Sequence, residues 1–101
     1  MKITITEILD DLRAADEITR RFERLYWLSS SDFYKLYSQG LLDDGEHIED
    51  WTMWAAFYEI KRERESDLEA LSRVRLEQLL EQAKQQPFVL DSPEPALTIP
   101  S

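Results

Sequence analysis

The chain has 101 residues, with 21 Asp+Glu against 12 Lys+Arg and a formal net charge of -9. That is the length of one domain. The absence of Cys excludes a disulfide scaffold, a thiolate zinc site and a Cys nucleophile. The longest apolar run, residues 53–58, falls far short of the roughly 20 residues that cross a bilayer, so no membrane association is expected.

The acidic balance argues against direct nucleic-acid binding and for a basic partner. Acidic Glu7, Asp10 and Asp11 come too early for a secretion signal, which makes the cytoplasm the expected location. With 43% hydrophobic residues and three Trp, the chain is equipped to build a core.

Residues 1–5, with β-branched Ile3, Thr4 and Ile5, read as a short extended lead-in. Thr4 followed by Glu7 offers a capping box. Apolar residues then recur at Ile8, Leu12, Ala15, Ile18, Phe22, Leu25 and Tyr26, which predicts an amphipathic helix of about five turns. Ser29 to Asp32 break the pattern and cap a short second helix with Phe33, Leu36 and Tyr37 on one face. Gly40 suits its left-handed stop, and residues 41–45 form the turn.

A third helix opens near Glu46, with Ile48, Trp51, Ala55 and Tyr58 on one stripe and Trp54 and Phe57 beside it. Residues 59–67 hold one apolar side chain, Ile60, before apolar positions return at Leu68, Leu71, Val74, Leu76, Leu79, Leu80 and Ala83. Opposite charges three or four apart (Arg62 with Glu65, Lys61 with Glu65, Arg64 with Asp67) support a solvated helix there. One helix over 46–84 would be about 58 Å long, out of scale with a compact domain of radius about 13 Å. Either it breaks near Ser66, where Ser66 and Glu69 form a second capping box, or its end protrudes and takes a partner.

All four Pro lie at or after position 87. Residues 87–101 therefore read as an extended tail with apolar anchors, following a helical domain over 1–86. The expected fold is all-α: three to four helices, a long C-terminal helix and an extended Pro-containing tail.

The stretches Tyr26-Trp27-Leu28-Ser29-Ser30-Ser31-Asp32-Phe33-Tyr34, Ser38-Gln39-Gly40-Leu41-Leu42-Asp43-Asp44 and Ile48-Glu49-Asp50-Trp51 resemble the centre of a class of small acidic helical proteins of archaea and cyanobacteria. That centre runs Tyr-x-hydrophobic-Ser-x-x-acidic-aromatic, a Gly-x-Leu-x-Asp turn, then an acidic stretch ending in Glu-x-Trp. Here Trp27 stands where Gly is common, and Asp50 precedes Trp51 in place of Glu. The resemblance implies an antitoxin-like partner of a small toxin encoded next door. It transfers no catalytic or binding residue.

The candidate chemistry is thin. His47 is the lone His, and although Asp50 shares its helix face, a di-metal site needs a second such pair. The carboxylate pairs 10–11, 16–17, 43–44 and 49–50 sit on adjacent helix positions that point about 100° apart, which suits solvated faces better than acid–base catalysis. No phosphate loop, nucleophile triad or dinucleotide fingerprint is present. No catalytic residue, metal site or cofactor is expected.

Among the aromatics, Trp27 or Trp54 is expected to face a partner while the rest form core. Arg20, Arg21 and Arg24 on one helix and Lys61, Arg62 and Arg64 on another would merge into a basic patch in an antiparallel hairpin, or be spent on salt bridges.

The function expected is therefore a non-enzymatic protein-binding module, an antitoxin-like neutraliser of a small basic protein. Glu63, Glu65, Asp67 and Glu69 are its steering charges, and Phe88, Leu90, Leu97 and Ile99 are its anchors on the partner. A structural homo-oligomer, in the simplest case a homodimer, and an acidic nucleic-acid mimic are the alternatives.

Overall fold

Three helices make up the computed structural model, which describes residues 3–42 and 45–84. Thr4 starts α1, Ile5–Tyr26: its hydroxyl accepts from the Glu7 N–H, and the Glu7 carboxylate accepts from the Thr4 N–H, both at 3.2 Å. The capping box read from the sequence is thus formed. It also shortens the lead-in, because Ile5 is already helical and among the described residues only Ile3 and Thr4 precede the helix.

Ser29 caps α2, Ser30–Ser38, by accepting from the Asp32 N–H at 3.1 Å. Gly40 ends α2 at φ +70, with the Gly40 N–H donating to Tyr37 O and the Leu41 N–H to Leu36 O. Those two bonds form a Schellman motif, which needs a left-handed residue where Gly40 stands.

The third helix, α3, runs unbroken over Ile48–Ala83. Ser66 does not interrupt it, since no Gly or Pro lies in this stretch and Arg64 bonds Asp67 across the position. At 36 residues it is about 54 Å long, against about 33 Å for the 22 residues of α1. The fold is all-helical, and no described residue forms a strand. The extended tail expected over 87–101, and the Asp43–Asp44 part of the turn, lie outside the described residues.

α1 and α3 lie antiparallel. Phe22 and Tyr26 meet Trp51 and Trp54 at one end, and Ile3 and Ile8 meet Leu71 at the other. The first end is the larger core. Phe22, Phe33, Trp51, Trp54 and Ala55 are buried there, with Ile18, Tyr26, Leu28, Tyr34 and Leu42 packed around them. Trp54 is its centre: its ring stacks on Phe33 at 3.9 Å between centroids and on Phe22 at 5.5 Å.

The second cluster is small. Ile3, Ile8 and Leu71 are buried, with Leu12 and Leu68 against them. Along α3, Trp51, Trp54, Lys61, Arg64, Leu68 and Leu71 meet α1 at steps of three, four and seven, which fall short of the 3.6-residue turn on average. The contact stripe therefore winds around α3 rather than staying on one side.

Candidate interaction surface

Between the two clusters the α1/α3 seam is charged. Lys61 Nζ lies 3.0 Å from Asp16 Oδ1. Arg64 Nε lies 2.8 Å from Asp11 Oδ2, and Arg64 Nη1 lies 2.5 Å from Asp67 Oδ2. Of the helix pairs expected within α3, only Arg64 with Asp67 is formed. Lys61 reaches across to Asp16 instead of Glu65, and Arg62 lies over the Tyr58 ring.

The bond from Lys61, with the nearby positive charges of Lys61 and Arg20, holds the Asp16 carboxyl below its ordinary pKa despite some desolvation. Arg64 is raised by Asp67 first and then Asp11.

A second polar chain ties all three helices together. Trp54 Nε1 donates to Ser30 Oγ at 2.8 Å, Ser30 Oγ and the Ser30 N–H donate to Glu23 Oε2, and Arg20 donates to Glu23 Oε1. Burial raises the Glu23 pKa, but the two Ser30 bonds and Arg20 outweigh it, so Glu23 stays below its ordinary value. A carboxylate with a depressed folded-state pKa stabilises the fold above its unfolded pKa and loses that contribution as pH falls through the folded value. Thermal stability is therefore expected to fall with acidification below the ordinary glutamate pKa. The decline should be shallower in Glu23→Gln, which melting curves against pH would show. A decline equally steep in both proteins would put it elsewhere.

This bonding also settles the two basic clusters. They do come to one level of the hairpin, as Arg20 and Lys61 both pair with Asp16. Arg20, Lys61 and Arg64 are held by carboxylates, so half of the six basic residues are spent on ion pairs.

His47 is the N-cap of α3, with its ring 6.0 Å from Tyr26 and 5.5 Å from Trp51. Among the described residues, no group of three or more His, Asp and Glu is placed to hold a metal ion. No described helix is long and apolar enough to cross a membrane.

Of the two tryptophans expected to face a partner, Trp54 is fully buried and Trp27 is 92% exposed. Trp54 is inside because α2 folds across its ring, a contact invisible to helical periodicity. Trp27 ends α1 in the left-handed conformation, φ 58, ψ 42, with its N–H donating to Glu23 O. Glycine normally fills that position. Trp27→Gly is therefore expected to stabilise the protein by about 1 kcal/mol, since it relieves left-handed strain and removes little packing. A thermal melt checks this, and a lower midpoint would show that the exposed ring contributes to the fold.

The steering charges are not one cluster. Glu63, Glu65 and Glu69 are exposed, while Asp67 is half-buried and bonded to Arg64. Helical geometry puts Glu63 and Asp67 on one side of α3, and Glu65 and Glu69 on nearly the opposite side. The anchors Phe88, Leu90, Leu97 and Ile99 lie outside the described residues.

The hairpin leaves a further apolar surface that the sequence reading had not separated from core. α1 accompanies α3 from Trp51 to Leu71, and residues 72–83, about 18 Å of helix, continue past it. Leu76 and Leu80 are 53% and 55% exposed on this overhang, and Ile5 and Leu9 are exposed on the neighbouring turns of α1. The signal was present in the sequence: Leu76, Leu79, Leu80 and Ala83 recur at helical spacing beyond the length that α1 can cover. No family model, no curated protein and no solved structure matches this chain.

Proposed function

We propose that the protein is a non-enzymatic binding module, an antitoxin-like neutraliser that takes a small basic protein on the free end of α3 and the segment that follows it. The observation that carries this reading is the overhang. A helix that outruns α1, its antiparallel neighbour among the described residues, by about 18 Å, with leucines at helical spacing, presents an i, i+3, i+4 anchor set for a partner. The net charge of -9 speeds encounter with a basic protein. Glu69 sits exposed just before the overhang, and Glu63 and Glu65 are exposed further back along α3, while Asp67 serves the hairpin instead. Phe88, Leu90, Leu97 and Ile99 follow the overhang in sequence and extend its reach across the partner.

The test is a tagged full-length bait in lysate of the source organism, beside a bait ending at Gln86. Retention of one small basic protein by the full chain, and its loss from the shorter one, supports the reading with the tail as anchor. Retention of nothing but further copies of the chain by both baits overturns it in favour of a homo-oligomer. The nucleic-acid mimic is disfavoured by the split of the four acidic residues between opposite sides of α3, which makes no phosphate-like row.

A further inference from the structure

The fold holds two apolar clusters with a charged seam between them, and the seam is built from groups that bind weakly. Ala15 and Thr19 are the fully buried α1 residues at this level, and both are small, so no large side chain links the clusters. The Thr19 hydroxyl donates to Ala15 O at 2.9 Å and to Asp16 O at 3.1 Å, a back-bonding pattern that slackens a helix. Opposite, α3 runs through residues 59–67 with Ile60 as the one apolar side chain, and that side chain is exposed. What joins the helices here is Lys61 with Asp16 and Arg64 with Asp11, where the cations are 21% and 20% exposed and the carboxylates 48% and 46%. Ion pairs with a half-exposed carboxylate contribute less than packed apolar side chains and are weakened by salt.

We propose that the distal half of the hairpin, residues 3–12 against 67–71 with the overhang beyond, opens as a unit of its own while the aromatic end stays folded. The distal unit rests on three buried apolar side chains and two partly buried ones. The proximal unit holds five buried ones, three helices and the stacked Phe33–Trp54–Phe22 rings. Subunits of such unequal burial exchange through separate openings. Opening releases Ile3, Ile8, Leu12, Leu68 and Leu71 beside the already exposed Ile5, Leu9, Leu76 and Leu80, so the distal end becomes one continuous apolar surface. This device does not depend on which partner the protein takes.

Native-state hydrogen exchange on the full chain tests it. Amides of Leu12, Arg13 and residues 68–71 are expected to converge on one shared opening with increasing urea. Their protection should be roughly tenfold or more below that of Phe22 and Trp54, with a smaller urea dependence. Raising salt from about 20 mM to about 0.5 M should lower distal protection more than proximal. Replacing the pair with apolar groups, Asp16→Leu with Lys61→Leu, should join the clusters and bring distal protection up toward the proximal value. A single isotherm for both halves overturns the proposal. So does a residue-by-residue gradient from the helix ends, which is simple fraying. Either outcome is read on the free protein, apart from the fate of the partner-binding reading.

Discussion

Trp54→Ala is expected to cost about 3–5 kcal/mol, enough to abolish most of the stability of a domain this small. Trp54 has no exposed surface, and its ring is the common face on which Phe33 of α2 and Phe22 of α1 both stack. Truncation opens a cavity where three helices meet, and nothing of comparable size can move in, because α2 is only nine residues and is held by its caps. The indole N–H is a second, smaller contribution. Trp54→Phe keeps a ring in the stack and removes the bond to Ser30, whose hydroxyl still donates to Glu23. Its cost is expected to be about 1–2 kcal/mol, separating packing from hydrogen bonding.

Trp51 is the contrasting case. Its indole N–H is buried and has no acceptor among the described residues, so Trp51→Phe removes an unpaired donor along with some packing and should cost less than Trp54→Phe. Urea denaturation followed by circular dichroism ranks the variants. Equal losses for Trp54→Ala and Trp51→Ala, each near 1 kcal/mol, would show that the stack is not the centre of the fold.

Leu76→Gln with Leu80→Gln is expected to weaken binding of the proposed small basic partner on the order of 100-fold while leaving the melting midpoint nearly unchanged. Burying a leucine contributes about 1.5–3 kcal/mol, and glutamine retains part of that contact, so the pair together forfeits roughly 2–3 kcal/mol. Both leucines are more than half exposed in the free protein, and glutamine is as good a helix former, so the fold has little to lose. The substitutions leave the net charge alone, which keeps electrostatic steering constant and makes the effect one on dissociation. Titration calorimetry with the purified partner, beside a thermal melt, gives both numbers. Unchanged affinity with an intact fold would move the binding surface away from the overhang, with Trp27 at the opposite end the next place to look.

How much of this was legible beforehand differs by element. The starts and stops of α1 and α2 were readable because each is set by neighbours within a few residues. Thr4 and Glu7 bond each other, Ser29 bonds Asp32, and Gly40 takes the left-handed turn that its missing Cβ allows. Most of the apolar face of α1 was readable because its 3.6-residue period is a property of the helix itself, though Leu25 on that predicted face is 62% exposed.

The fate of Lys61 was not readable. Within α3 its natural partner is Glu65, yet it bonds Asp16, 45 positions away. Glu23, which no motif or spacing singles out, holds the first residue of α2 and, through Ser30, Trp54. Trp54 and Trp27 could not be ranked, since periodicity gives the side of a helix a residue occupies and is silent on what covers that side.

The amino-acid sequence by itself determined that this is an acidic, all-helical chain with a capped first helix, a short second one and a long third one. Backbone hydrogen bonding, capping and residue propensity act within a turn or two, so they are written locally. Only the tertiary structure decided where α1 stops along α3 and so how far α3 outruns it. It also split the apolar residues into two clusters around a charged seam, and set Trp54 inside and Trp27 out. Those outcomes depend on the relative lengths and angular register of helices packed against one another, and no single segment contains that information.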